Sequence, residues 1–505
     1  MGELTRVTQA VRSGAADMSH VTDLTIVDGQ LYASTRHDGT LDSWTISGGG
    51  LSLRDAQSYA GTLRPGDTGW ITPLDVATGT LLLTGGATSG GLFLSDPDAA
   101  GGRDTPVALT GTTNTYGTLH HTTAITAENG THVVYGGIAG QTGLAQLTFN
   151  GAGDLIGRRT VADLDRTYGT DIAGTATATV GGTTYIYTAS ATEHGISSWS
   201  VARNGTLTAA QDMGNPDGLW ISAPTAPASV ALGGQTFLVL AAAGTDSLTV
   251  VRTRPDGSLQ IVDHLLDARE TRFGGVAALE VVSHNGAVYV IAGGTDDGIT
   301  VLQMLPDGQL VTRATIADTT GMTLDNVSAI AATGSGDGLD IFVSSSSEDG
   351  ITRLRYDAGP AGQTLVAAAG QTLIGTTGTD VLIGSIGDDR LNGGQGDDIL
   401  RDGGDIDVMA GGAGANTFVF AEGRDRITDF DINLDCLSLG VGQQPGRWRR
   451  AVRVWHHRGV RRGARFRQRS VADAERHHRL DRLGRPDRLH LVPAKRFQRG
   501  LPDQC

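Results

Sequence analysis

Seven turns recur along this chain, closed by Gly39, Gly91, Gly143, Gly195, Ser247, Gly298 and Gly350, at spacings of 52, 52, 52, 52, 51 and 52 residues. Such regularity requires seven equal structural units. Each turn sits in a phrase of one grammar: HDGTLDSW, SGGLFLS, QTGLAQL, EHGISSW, TDSLTVV, DDGITVL and EDGITRL. A β-rich pair such as VAALEVVSHNGAVYVIAGG precedes the turn, and in most units an apolar residue twelve positions later (Leu51, Leu155, Leu207, Leu259, Leu310) opens another strand phrase. Each unit therefore holds four short strands joined by Gly, Asn and Asp turns. Four strands in about 50 residues, seven times over, is the arithmetic of a seven-bladed β-propeller spanning residues 1–369. A β-solenoid competes, but its repeats are shorter and its end coils need caps, whereas a ring has no ends. The opening MGELTRVTQA matches the fourth-strand phrases NGTLTAAQD and DGSLQIVDH with no three strands ahead of it, so it is expected to close blade seven from outside. QTLVAAA (Gln363–Ala369) competes for that place, and the sequence leaves both open.

A second, shorter period follows. From Ile374 to Phe418 the chain divides into IGTTGTDVL, IGSIGDDRL, NGGQGDDIL, RDGGDIDVM and AGGAGANTF, five units of nine without insertion. Gly375, Gly384, Gly393 and Gly411 hold the second position, Gly378, Gly387, Gly396 and Gly414 the fifth, and Asp380, Asp389, Asp398 and Asp407 the seventh. Leu382, Leu391, Leu400, Met409 and Phe418 hold the ninth. Glycine permits turns with positive φ, and the segment ending each unit forms a strand whose apolar residue faces the coil axis. Two units then make one turn of a parallel roll, so Asp380 lies over Asp398 and Asp389 over Asp407, with strands about 4.8 Å apart. Stacked carboxylates repel unless a cation lies between them. Calcium suits the place, because it accepts six to eight oxygens in loose geometry while magnesium demands a tighter octahedron. The expectation is two good sites, with a weaker third between Asp398 and the uncharged Asn416, and with Asp398→Ala as the most damaging substitution. Asp402 and Asp405 stand where glycine is expected, and Asp tolerates left-handed backbone, so a distorted turn is expected there rather than a lost one.

Residues 374–418, on these motifs, resemble the repeats of the haemolysin-type (RTX) calcium-binding family, and TFVFAEGRDRITDFDINLDCL (Thr417–Leu437) resembles the segment that caps them. The resemblance implies Ca2+ as the ligand, an extracellular location, and export by a type I secretion exporter that reads an uncleaved C-terminal signal. The phrases DGITVLQMLPDGQL and DSLTVVRTRPDGSL resemble lactonase-like seven-bladed propellers in blade grammar, without matching active-site residues.

The chain is all-β by this reading: a propeller, a roll with its cap at 370–440, and a disordered basic tail at 441–505. The 505 residues include 74 Gly and only 5% aromatics, which suits many short strands and turns. No run of eighteen apolar residues appears, and Met1 leads directly into GELTRVTQAVRSG, so neither a transmembrane segment nor a cleavable signal is expected. Cys436 and Cys505 are the only cysteines, which fits metal rather than a disulfide framework as the staple. Residues 1–440 carry 21 bases against 49 acids, a balance of −28 that argues against nucleic acid as partner. Residues 441–505 carry 17 Arg and one Lys against five acids, a balance of +13. RWRRAVRVWHHRGVRRGARFRQRS lacks strand alternation, and arginine without lysine beside His, Pro and Trp is what a GC-rich gene yields out of frame, so a frameshift near LSLG is expected. The alternative is a genuine basic arm.

Propellers bind ligands at the channel mouth. Its second-to-third-strand loops hold His37, Asp38, Glu193, His194, Asp246, Asp296, Asp297, Glu348 and Asp349, and loops leading into first strands hold Trp70, His120, His121 and Trp220. An acidic ring edged by Trp suits a cation or a stacked sugar; acids also populate turns merely because turns are solvated. No nucleophile elbow, HExxH or phosphate loop is present. The function expected is therefore calcium binding with a recognition propeller of unknown ligand, rather than catalysis, the alternative being a lactonase-like hydrolase at the channel mouth.

Overall fold

The structure, a computed structural model, describes residues 2–10, 21–35, 39–48, 50–58, 69–86, 91–97, 107–109, 119, 122–138, 140–164, 167–421, 423–439 and 453–454. Among the described residues, Leu4–Tyr356 forms one compact body, and those from Asp357 onward form another.

The first body is a propeller of seven four-stranded antiparallel sheets. Blade five shows why the sequence builds it. Its strands are Pro224–Leu232, Gln235–Ala242, Ser247–Thr253 and Leu259–Leu266. The second of these is apolar on both faces, as a strand sandwiched between neighbouring sheets must be. Leu238, Leu240 and Ala242 pack with Tyr187 and Ile196 of blade four, while Phe237, Val239 and Ala241 pack with Val288, Val290 and Leu302 of blade six. Burying each Leu, Val, Ile or Phe among them contributes about 1.5–3 kcal/mol. Arg252 reaches from blade five to the Asp307 carbonyl in blade six and lies over the Phe237 ring.

The ring closes between blades seven and one. Glu3–Ala10 adds outside Ile351–Asp357, completing a sheet with Gly338–Ser345 and Val327–Ser335. Ala10, Val21, Leu31 and Trp44 share one core with Ala329, Phe342 and Ile351. The Ser328 hydroxyl donates to the Val21 carbonyl at 2.6 Å. Arg353, buried against Asp340 at 3.0 Å, also donates to the Ser47 and Gly50 carbonyls of blade one. The N-terminal strand thus takes the closing place.

Gln363–Ala369 does not compete for it, because Ala361–Val366 pairs in parallel with Thr379–Ile383 and opens the roll. The propeller therefore ends before residue 369. The roll consists of two parallel five-stranded sheets in which the chain alternates, so that most stacked strands lie 18 residues apart. Leu382, Leu400, Phe418 and Leu437 align on one sheet, and Leu373, Leu391, Met409 and Ile427 on the other. These side chains meet in a single core. Of residues 441–505 only Arg453–Val454 are described, and they pair in parallel with Arg426–Ile427. The expectation of a structureless tail otherwise lies outside the described residues. Among the described residues no helix is long and apolar enough to cross a membrane.

Candidate metal centre

The ninth-position side chains hold the strands together inside the roll, which leaves the turns to position the carboxylates. Asp380, Asp389, Asp398 and Asp407 are all buried. They form two columns with an 18-residue step, as the spacing predicts. The Asp398 Oδ1 accepts the Asp380 backbone N–H at 2.8 Å, and Asp380 in turn accepts that of Gln363 at 2.6 Å. In the other column Asp407 accepts the Asp389 N–H at 2.7 Å, and Asp389 accepts that of Gln371 at 2.5 Å. The second oxygen commonly accepts an N–H four residues earlier: Thr376 to Asp380, Ser385 to Asp389, and Gly403 to Asp407. The carboxylates of Asp380, Asp389 and Asp407 are thus each held by two backbone dipoles, which narrows their freedom and offsets part of the cost of burying them. Burial still raises Asp407, with the two N–H donors pulling it back and the charges of Asp389 and Asp388 adding to the rise.

The glycines act through the space they leave. A Cβ at Gly375 would collide with the Gly393 carbonyl oxygen, one at Gly393 with that of Gly411, one at Gly396 with that of Gly378, and one at Gly414 with that of Gly396. Carbonyl oxygens of successive turns therefore lie against bare Cα atoms, beside the carboxylate columns. At the fifth position Gly387 and Gly396 take φ of +102° and +113°. Gly378 abuts the Ala361 and Pro360 carbonyls, and Gly384 abuts Asp402 and Gly403. The result is a cradle of carboxylate and carbonyl oxygens without nitrogen or sulfur donors, which is the donor set of a hard divalent cation. Among the described residues no three acid, His or Cys side chains converge on one point, so the cradle depends on backbone carbonyls as well as carboxylates.

Unit four keeps its turn. Asp405 takes the left-handed φ of +75° in the slot where glycine stands elsewhere, and Ile399–Arg401 and Val408–Ala413 remain paired on either side.

The columns run further than the sequence expectation. Asp425 accepts the Asp407 N–H at 3.0 Å, and Asp435 accepts that of Asn416 at 2.8 Å. Asp407 therefore has a carboxylate neighbour on each side in its column, and Asp398 on one side only, its other neighbour being the neutral Asn416, accepting at 3.1 Å. The signal was present: Val419–Ile427 (VFAEGRDRI) keeps Gly423 at the fifth position, Asp425 at the seventh and Ile427 at the ninth.

At the propeller mouth the acids mainly hold loops. Glu193 accepts the Thr170 N–H, Asp246 that of Gly275 and Glu348 that of Asp325, while His194 Nδ1 accepts that of Ala223. The Asp349 carbonyl accepts from the Gln9 side chain. Asp297 is raised chiefly by a side-chain hydrogen bond with Asp325, and Asp296 is pushed up to about 6 by burial and by the nearby Asp267 charge. Trp70 is core rather than rim, packed with Leu74, Leu83 and Leu92. Trp220 is 66% exposed. His37, Asp38, His120 and His121 lie outside the described residues.

Comparison with known proteins places the roll. Residues 369–400 and 393–427 match the family model for the RTX calcium-binding nonapeptide repeat, in four copies. No curated protein matches the chain. Among solved structures, a functionally unknown protein from Desulfotomaculum acetoxidans DSM 771 aligns over 66% of this chain and 88% of its own, at 11% identity and a TM-score of 0.35.

Proposed function

We propose that this chain, whose segment 369–427 carries RTX calcium-binding repeats, is a secreted protein in which calcium folds the roll and the propeller serves recognition. The observation that supports it best is the pair of buried carboxylate columns running beside stacked glycine carbonyls. The carboxylates of Asp380, Asp389, Asp398 and Asp407 would hold the ions, together with carbonyls of the turns built on Gly375, Gly378, Gly384, Gly387, Gly393 and Gly396, and with Asn416 as a neutral member. Calcium supplies there the positive charge that lets like-charged groups share a groove. Extracellular modules of this kind bind at about 10⁻⁴ to 10⁻³ M, far above cytosolic free calcium. The roll is then unfolded inside the cell, suits passage through a type I exporter, and folds outside, binding free energy acting as folding free energy. Circular dichroism of a 357–440 fragment tests this: millimolar calcium gives a gain of β signal, and equal spectra in calcium and in chelator overturn the reading.

A lactonase-like hydrolase is the competing reading, and one observation favours it. Asp296 stands at the mouth with its carboxyl raised to about 6 and its Oδ1 buried without a hydrogen-bond partner, properties that suit a general base. Turnover of lactones or esters by the folded chain, abolished by Asp296→Asn, would establish it. Rates at background leave the recognition module.

A further inference from the structure

Four loops that lead into first strands share one frame, marked by a left-handed residue at Asp171, Ala223, Gly275 and Asn326, with φ between +46° and +56°. Three positions ahead of it stand Tyr168, Trp220, Arg272 and Thr323. In three of the loops that residue is pinned by its backbone N–H, which donates to a hydroxyl on the blade's third strand: Tyr168 to Ser197 at 2.8 Å, Arg272 to Thr300 at 2.7 Å and Thr323 to Thr352 at 2.7 Å. Two of the side chains also lie over the glycine that closes the blade's turn, Tyr168 against Gly195 and Arg272 against Gly298. Blade five has neither fastening. Its hydroxyl, Thr249, is paired with His264 Nδ1 at 2.8 Å, and its turn closes on Ser247, whose buried Oγ bonds to Thr245 in the space a glycine would leave. Trp220 therefore projects outward, 66% exposed, and it is the one exposed aromatic among the described residues.

The surroundings of this indole are negative. Ala223 donates its N–H to His194 Nδ1 at 3.1 Å, Ser222 to the Thr245 hydroxyl at 3.3 Å, and Gly244 to the Ser222 carbonyl at 2.9 Å, so the loops of Glu193 and Asp246 are knitted to the loop that holds Asp217 and Trp220. All three carboxylates are exposed, and each commits one oxygen to a backbone N–H, of Thr170, Gly275 and Gly214 respectively for Glu193, Asp246 and Asp217. They are thereby fixed in place with the second oxygen open to solvent. Residues 190–195, 212–224 and 243–247 contain no Lys or Arg to neutralise them. An indole face among fixed carboxylates attracts a cation. Arginine suits it best, because a planar guanidinium stacks on the ring while its N–H fork bonds a carboxylate; a neutral sugar would stack but leave the carboxylates without a counter-charge. We propose that Trp220, with Glu193, Asp217 and Asp246 about it, is the docking point for an arginine-bearing segment of a partner protein, the indole being its anchor. The proposal rests on the propeller's serving recognition and names the chemistry of what it recognises.

The test is fluorescence anisotropy of labelled hexa-arginine titrated with the full-length chain in millimolar calcium. Wild type is expected to bind saturably, and more weakly as salt rises. Trp220→Ala should raise Kd about tenfold or more, and Trp220→Phe should raise it less, although neither alters the charge of the face. Asp217→Asn, which keeps an acceptor for the Gly214 N–H, should raise Kd and reduce the salt dependence. All three variants should keep the wild-type thermal midpoint, since the side chains they change are exposed. If Trp220→Ala binds as wild type does, the peptide adsorbs to acidic charge alone and the proposal is overturned, as it is if wild type does not bind. Binding of cellohexaose that depends on Trp220, without binding of hexa-arginine, overturns the proposal and keeps the recognition reading. Lactone turnover abolished by Asp296→Asn, with neither probe bound, overturns that reading itself, which separates the two failures.

Discussion

Asn416 is the residue at which the column pattern is most easily put to the test. Its Oδ1 accepts the Asp398 N–H, and its amide side chain hydrogen-bonds with Asp435, so one group satisfies both neighbours without a cation. Asn416→Asp places a carboxylate between two others. Equilibrium dialysis should find one more calcium ion per chain, and the roll should fold less in chelator; an unchanged count would contradict the column. In the other column, Asp407→Ala is expected to raise the calcium midpoint for folding more than Asp380→Ala, whose other column neighbour is Gln363. Asp407→Ala also strands the buried Asp389 N–H, at about 1–3 kcal/mol. The seventh-position Asp columns were legible because a carboxylate at a fixed phase needs only register to predict its neighbour. Asp425 and Asp435 were harder to see. Phe420 fills the second-position slot of Asp425's unit, and the step from Asn416 to Asp435 is 19 residues rather than 18, so the phase slips by one.

Among the elements, the strand Gln235–Ala242 shows what propeller packing demands, since its two faces belong to two different inter-blade cores. Leu240→Ala opens a cavity between blades four and five and should cost about 2–5 kcal/mol, read as a lower urea midpoint; a shift below 0.5 kcal/mol would mean that the blades do not share that core. The strand count and blade boundaries were legible because the 52-residue period fixes where each four-stranded sheet begins. The closing strand was not, because Met1–Ala10 and Gln363–Ala369 are both short alternating segments and only tertiary pairing separates them. Trp70 illustrates the same limit: an aromatic beside a loop suits rim or core equally well on pattern, and here Leu74, Leu83 and Leu92 enclose it. The acids of the mouth were visible as residues but not as loop clamps, since their N–H partners lie on other loops more than twenty residues away.

For the whole molecule, charge and calcium bear differently on the two bodies. In the propeller, Glu280 on the strand Ala278–His284 is raised to about 8, first by burial, then by the charge of Asp23, against a hydrogen bond from the Ala332 backbone. A carboxyl raised on folding stabilises the native state while protonated. Its contribution is full below its ordinary value of about 4.5 and is lost as pH rises through about 8. The propeller's thermal midpoint should therefore fall between pH 6 and pH 9, and Glu280→Gln should fall less over the same range; parallel curves would contradict this. On the proposed reading the roll answers to calcium instead. Without the ion its columns face mutual repulsion, opposed by one apolar side chain per nine residues and the N–H bonds to each carboxylate. Scanning calorimetry of the full-length chain tests this division most directly. The account predicts one calcium-independent transition, from the propeller, in chelator, and a second that appears and rises in temperature with millimolar calcium. A roll transition already present in chelator and unmoved by calcium, or a propeller transition that shifts with it, would contradict the account.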